Sequence, residues 1–193
     1  MNGVTNWPER PWKNAGNDRG KEEYAVQEKE WARLLKQVPL GIYILTVSAG
    51  ERINGMIASW VTPVSHYPPL LVVAVHPDRY CHELVEQGGG FCLHVLDRNG
   101  FCLHVLDRKQ APLMDRFKGP DPSAKFHGIS WRVGKTGSPV IDDCLAFAEC
   151  EVRRTLRPGN HTLFLGEIVA SGVHGGGTPL CTLDYAGVYT GKA

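Results

Sequence analysis

The stretch Asn54-Gly55-Met56-Ile57-Ala58-Ser59-Trp60-Val61-Thr62-Pro63-Val64-Ser65 sets Gly, Ala and Ser inside a run that otherwise reads as a strand. Small residues weaken a strand unless something must come close to its backbone, so the segment fits a surface on which a flat ligand lies. Its backbone amides can hydrogen-bond the edge of a heteroaromatic ring, and Ser59, Thr62 and Ser65 offer hydroxyls to phosphate or sugar-alcohol oxygens. The plainer alternative is a packed barrel strand whose small residues sit under a helix.

A second stretch, His76-Pro77-Asp78-Arg79-Tyr80-Cys81-His82-Glu83-Leu84, starts a short helix. A helix N-terminus offers free N–H groups and the positive end of its dipole, and a guanidinium there can grip phosphate bidentately. Arg79 in the first turn opposes the dipole, and that local conflict points to a ligand; the alternative is a solvated surface arginine. His66, His94, His127 and His174 read as strand or loop residues. The run His174-Gly175-Gly176-Gly177 lacks the strand-to-helix context of a phosphate nest and reads as a loop.

The elements that must hold these residues are mostly strands. Gly41 to Ser48 is β-prone, Ala49-Gly50-Glu51 turns the chain, and Arg52 to Val64 returns it. Pro68-Pro69 stops pairing before Leu70 to His76, which is apolar on both faces and therefore a central strand. A short helix over Arg79 to Gln87 ends at Gly88-Gly89-Gly90. Leu145 to Leu156 and His161 to Ser171 flank Arg157-Pro158-Gly159-Asn160, which is composed as a type II turn and predicts a hairpin. Upstream, Trp31, Leu34, Leu35 and Val38 mark an amphipathic helix over Lys21 to Val38, ended by Pro39. Residues 1–20 read as an arm, on which Trp7 and Trp12 argue for packing on the body or on a second subunit. The domain reading is an arm over 1–20 and a single domain over 21–193. Six or seven strands and two or three short helices without β-α-β alternation predict an antiparallel barrel with helices outside it. No G-x-G-x-x-G follows a strand, so a dinucleotide-binding crevice is unsupported.

Composition narrows the class. The 193 residues carry 21 Lys and Arg against 20 Asp and Glu, a net charge of +1, which supplies no footprint for nucleic acid or an anionic membrane. No apolar run approaches the roughly eighteen residues of a spanning helix, and the first twenty residues are too polar for a secretory signal. The 6 cysteines form no C-x-x-C pair and no zinc-ligand spacing, so they read as small buried hydrophobes in a reducing cytoplasm, with no metal site.

One feature is anomalous: GFCLHVLDR occupies 90–98 and again 100–108, with Asn99 between. A period this short cannot be a solenoid. A hairpin turning at Asn99-Gly100 would pair Val95 with His104 and set mismatched faces together. A slipped insertion, with one copy in a strand slot and the other extruded, keeps the facial pattern because the offset is even. A duplication or sequence error without a role is the third reading.

The segments N-G-M-I-A-S-W-V-T-P-V-S, P-P-L-L-V-V-A-V-H-P-D-R-Y, F-C-L-H-V-L, G-S-P-V-I-D-D-C-L-A-F-A-E-C-E-V and G-N-H-T-L-F-L-G-E-I, in order from about Pro39 to Tyr189, resemble the flavin reductase-like family. That resemblance implies a mainly β, antiparallel split β-barrel with a few flanking helices (the FMN-binding split barrel), homodimeric, with FMN near the subunit interface. It implies Asn54, Ala58, Ser59, Trp60 and Thr62 along the isoalloxazine and Arg79 and Tyr80 towards the phosphate. Met56, Ser65, His76 and His82 complete the candidate cofactor-binding set, and His161 is the candidate catalytic residue, near the nicotinamide. The family often has Thr where Cys81 stands, Asn where His104 stands and Asp where Asn160 stands, and it has no counterpart of the repeat.

The leading function is an NAD(P)H-dependent flavin reductase, passing hydride from nicotinamide to FMN or to FAD as a substrate, with a monooxygenase or redox protein as electron acceptor. The alternatives are a flavoredoxin-like FMN protein that serves a protein partner without oxidising NAD(P)H, and a flavin- or haem-binding module without turnover.

Overall fold

The computed structural model describes residues 33–35, 37–87, 100–105, 108–174 and 177–184. The chain divides into two units, 1–38 and 39–193. In the first, residues 33–35 and 37 are helical and the helix stops before Pro39, as the apolar spacing predicts. The remainder of that helix, the arm over 1–20, Trp7 and Trp12 lie outside the described residues.

The second unit opens with a hairpin of β1 (Tyr43–Ala49) and β2 (Arg52–Ala58), in register from Ala49 against Arg52 to Tyr43 against Ala58. Gly50 takes φ +60 at its turn, a conformation that costs glycine little. The chain then leaves the ladder at Ser59 and Trp60 before β3 (Val61–His66), so the single strand expected over Arg52 to Val64 is two strands. Within β3, Pro63 cannot donate to a ladder; β3 is an edge strand, where that is tolerated, and its register shifts between Pro63 and Ser65. β3 pairs with β4 (Pro69–Val75). Tyr67 and Pro68 therefore turn a hairpin where a break in pairing was expected.

After β4 come α1 (Tyr80–Gln87), β5 (Gly100–Val105), α2 (Ala111–Lys118), α3 (Pro122–Lys125), β6 (Trp131–Val133), β7 (Pro139–Ile141), β8 (Ala146–Leu156) and β9 (Thr162–Val173). Seven strands form one antiparallel sheet in the order β2-β1-β5-β8-β9-β4-β3, and β6 and β7 pair separately. Nine strands are thus present among the described residues, against the six or seven that the pattern predicted. The missed pair, β6 and β7, is only three residues per strand, too short for an alternation to show. No described helix is long and apolar enough to cross a membrane.

The sheet curls. One core gathers Leu45 and Val47 of β1, Ala58 of β2, Leu71, Val73 and Val75 of β4, Leu103, Cys150 and Phe164, capped by Cys81, Leu84 and Val85 of α1. Residues from both ends of the strand order meet there, while β2 and β3 remain its edges. On the other face α2 and α3 cover Ile44 and Ile57 with Met114, Phe117 and Phe126. A Cβ at Gly55 would lie 2.5 Å from the Phe117 ring, so at this position the small residue serves helix packing, as the plainer reading proposed.

The second copy of the repeat supplies β5. Both its edges are taken: His104 lies between Ile44 of β1 and Phe147 of β8, which leaves no edge for a Val95 partner and excludes the hairpin pairing. The first copy, 90–98, lies outside the described residues. The β8–β9 hairpin forms, but Gly159 is not among the glycines with positive φ, so the expected type II turn is absent. Leu156 pairs with Leu163, and a longer loop over 157–161 makes the connection.

Candidate functional site

Three aromatic residues meet where β3, β4 and β9 end together, and the register explains why. Val61 pairs with Val73, and the Ala74 amide donates to the Trp60 carbonyl at 2.9 Å. Val75 pairs with Thr162, which sets the next residues, His76 and His161, opposite each other. Partners across a ladder share a face and successive residues alternate. Because Val73, Val75 and Phe164 point into the core, Trp60, His76 and His161 project from the opposite face. Their rings meet there: Trp60 and His161 have centroids 4.7 Å apart, and His76 meets His161 edge-on at 5.2 Å. Trp60 remains 44% exposed, so the cluster is open to a ligand.

His161 Nδ1 lies 2.9 Å from Asn160 Oδ1, and its Nε2 has no hydrogen-bond partner among the described residues. Burial, then the nearby His76 and Arg79, hold the His161 imidazole below the usual histidine range, which favours the neutral ring. His76 Nδ1 accepts from the Asp78 amide at 3.2 Å, which ties the start of the α1 approach to the cluster. Arg79 follows; its amide donates to the His76 carbonyl at 3.0 Å. Arg79 stands just before α1, and no carboxylate lies within ion-pair distance of it among the described residues.

The other candidates fall in different places. Ser59 is buried in the break between β2 and β3, Thr62 is exposed on β3 and Ser65 is half-buried there. Met56 and Ala58 turn their side chains into the core, and buried Asn54 accepts its own neighbour's amide, Gly55, at 2.8 Å. Tyr80 lines a depression of about 340 Å³ with Arg52, Ile53, Pro122, Ser123 and Phe126. His82 is buried, its Nε2 2.7 Å from Thr162 Oγ1 and its Nδ1 3.4 Å from Glu86, so the structure does not bring it to the ring cluster.

Lys125 was missed by the sequence reading. It is 6% exposed, and its ammonium donates to the Gly55 carbonyl at 2.8 Å. Burial lowers its affinity for the proton, Arg79 acting in the same direction and Cys81 against it. The adjoining Cys81 thiol is pushed up to about 12 by burial and is unreactive at neutral pH. The sequence signals only the helix that carries it: Asp121 before Pro122 marks the helix start, and the Asp121 carboxylate accepts the Ser123 amide at 2.9 Å, but the contact with Gly55 leaves no local mark.

Comparison with known proteins bears on this arrangement. Residues 35–191 match the flavin reductase like domain. The chain is 30% identical over 140 residues to the NADH-dependent FAD reductase of Streptomyces globisporus, covering 72% of each chain. It is 29% identical over 160 residues to the high molecular weight rubredoxin of Moorella thermoacetica, covering 82% of this chain. The chain spans 67% of that rubredoxin's length and 23% of a Synechocystis diflavin flavoprotein's. The structure of the Streptomyces globisporus NADH:FAD oxidoreductase SgcE6, in complex with NAD and FAD fragments, superposes with a TM-score of 0.69 at 25% identity, over 81% of this chain and 88% of that one.

Proposed function

The chain belongs to the flavin reductase-like family, and from that premise we propose that it is an NAD(P)H-dependent flavin reductase that holds FMN, or FAD as a substrate, at the Trp60–His76–His161 end of the sheet. When bound, the flavin supplies the redox chemistry by taking up a hydride from the nicotinamide. The residues fit such a group: an open aromatic surface stands beside Arg79, a cation without a carboxylate partner among the described residues. Arg79 grips the phosphate, with the hydroxyls of Ser59, Thr62 and Ser65 as further donors, and Trp60 and His76 flank the ring. His161, whose neutral form is favoured, offers its Nε2 to the nicotinamide.

The curled sheet is read as a split barrel, and the chain as a homodimer that covers the exposed β3 edge. Free thiols at Cys81, Cys144, Cys150 and Cys181 suit a cytoplasmic location, and the electron acceptor is a monooxygenase or a redox protein. The single observation that carries the reading is the open ring cluster beside Arg79. The second reading, an FMN electron carrier, is favoured by the similarity to the Moorella rubredoxin. Anaerobic addition of NADH or NADPH to the FMN-loaded protein decides: reductase activity bleaches the flavin absorbance within turnover time, whereas an intact spectrum with both donors leaves the carrier.

A further inference from the structure

His82 and Glu86 stand four residues apart on α1 and therefore share one helix face. From that face they reach both ends of the loop that carries His161. His82 Nε2 lies 2.7 Å from the hydroxyl of Thr162, the first residue of β9. Glu86 accepts from the Arg157 guanidinium, on the first residue after β8. The two anchors are themselves joined, because His82 Nδ1 lies 3.4 Å from the second Glu86 oxygen. The Phe164 ring packs edge-on against His82 at 5.3 Å. We propose that α1 clamps the 157–161 loop through His82–Thr162 and Glu86–Arg157, and that this clamp positions His161 against Trp60 and His76.

The geometry requires such a link. Thr162 is fully buried and His161 is its neighbour, so fixing the Thr162 side chain towards the core fixes His161 on the opposite face, where the rings are. Without a second anchor the loop could pivot about Thr162, and the Arg157 pair removes that freedom. A buried histidine is costly unless its nitrogens are engaged, and an apolar residue at His82 would pack α1 onto the core with less demand. The polar side chain therefore adds orientation. Burial holds His82 below the usual histidine range, against the pull of Glu86, while its two ring nitrogens face Thr162 and Glu86. His82, Glu86, Arg157 and Thr162 are positioning residues; none needs to touch a ligand.

The catalytic consequence rests on the flavin reductase reading, but the positional one does not, and the test separates them. Thr162→Val removes the hydroxyl at nearly constant shape, Arg157→Ala removes the outer anchor, and Thr162→Ser restores the hydroxyl. Arg52→Ala serves as control, since it cuts the Arg52 contacts to Glu83 and Gln87 on the same helix without touching the loop. The readout is the proton titration of the His161 imidazole in the full chain by NMR, whose depressed position depends on burial and on His76 and Arg79. In Thr162→Val and Arg157→Ala it should move up towards the value of an exposed histidine, and in Thr162→Ser and Arg52→Ala it should stay where the parent protein has it. The KM for NADH should rise about three- to tenfold in the first pair, with kcat changed less. An unchanged His161 titration in Thr162→Val overturns the clamp. If that variant does not fold, Arg157→Ala decides in the same way, because Arg157 is 61% exposed and its loss leaves the core intact. If no variant oxidises NADH, the titration still decides whether the clamp exists, and only the reductase reading falls.

Discussion

Two regions hold their histidines in opposite ways. At the seam where β7 meets β1 and β5, His104 is fully buried; its Nδ1 donates to the Ile44 carbonyl at 3.1 Å and its Nε2 accepts the Ile141 amide at 2.9 Å. Beside it the Thr46 hydroxyl donates to the Pro139 carbonyl at 2.6 Å, and buried Glu149 accepts the Thr136 amide at 2.9 Å. At the end of β3, β4 and β9, His161 has one hydrogen-bond partner among the described residues, Asn160, at its Nδ1, and an exposed indole against its face. The difference is that between polar groups saturated by the fold, which specify its geometry, and polar groups left with unused capacity, which a ligand can complete.

The largest effect should come from breaking the saturated region. His104→Leu leaves the Ile141 amide buried without its partner and takes the imidazole away from the Ile44 carbonyl, and should cost about 3 kcal/mol of folding stability, the upper end for an orphaned buried group. Chemical denaturation measures it; flavin affinity of the molecules still folded should be unchanged. Acid probes the same seam without mutation. Burial is the main cause that lowers His104 to about 4, from the ordinary value of 6.5. A depressed histidine contributes stability in full above the unfolded value, so about 3 kcal/mol should be lost as pH falls from 6.5 to 4, with no further loss from this group below that.

The open region should answer differently. Arg79→Ala should weaken FMN by about 1.5–3 kcal/mol and riboflavin, which lacks the phosphate, much less. Calorimetric titration with both ligands checks this; equal losses would place Arg79 elsewhere. His161→Ala should change folding stability by less than about 0.5 kcal/mol while raising the KM for NAD(P)H more than it weakens flavin. A large loss of stability there would erase the contrast with His104.

What the sequence revealed follows the strength of local signals. The β1–β2 turn was legible because Gly50 sits where φ is positive, and α1 because Pro77-Asp78 precedes a helical run. The β3–β4 hairpin was misread because Pro68-Pro69 weakens pairing in general, and only the edge position makes a turn there acceptable. Arg79 and His161 could be singled out by type and resemblance. Their company could not: the meeting of Trp60 with His161 depends on the antiparallel order β3-β4-β9, which long-range register decides. Lys125 and the His82–Thr162 contact were missed for the same reason, since each joins segments far apart in the chain.

The contrast between the two regions is tested most directly by following the imidazole signals of His76, His161 and His104 by NMR, assigned with single His→Gln variants, while FMN and then NADH are added to the 193-residue chain. His76 and His161 should shift on FMN addition, His161 should shift again with NADH, and His104 should stay fixed throughout. Bound flavin that leaves His76 and His161 unmoved, or that moves His104 instead, would contradict the assignment of the site.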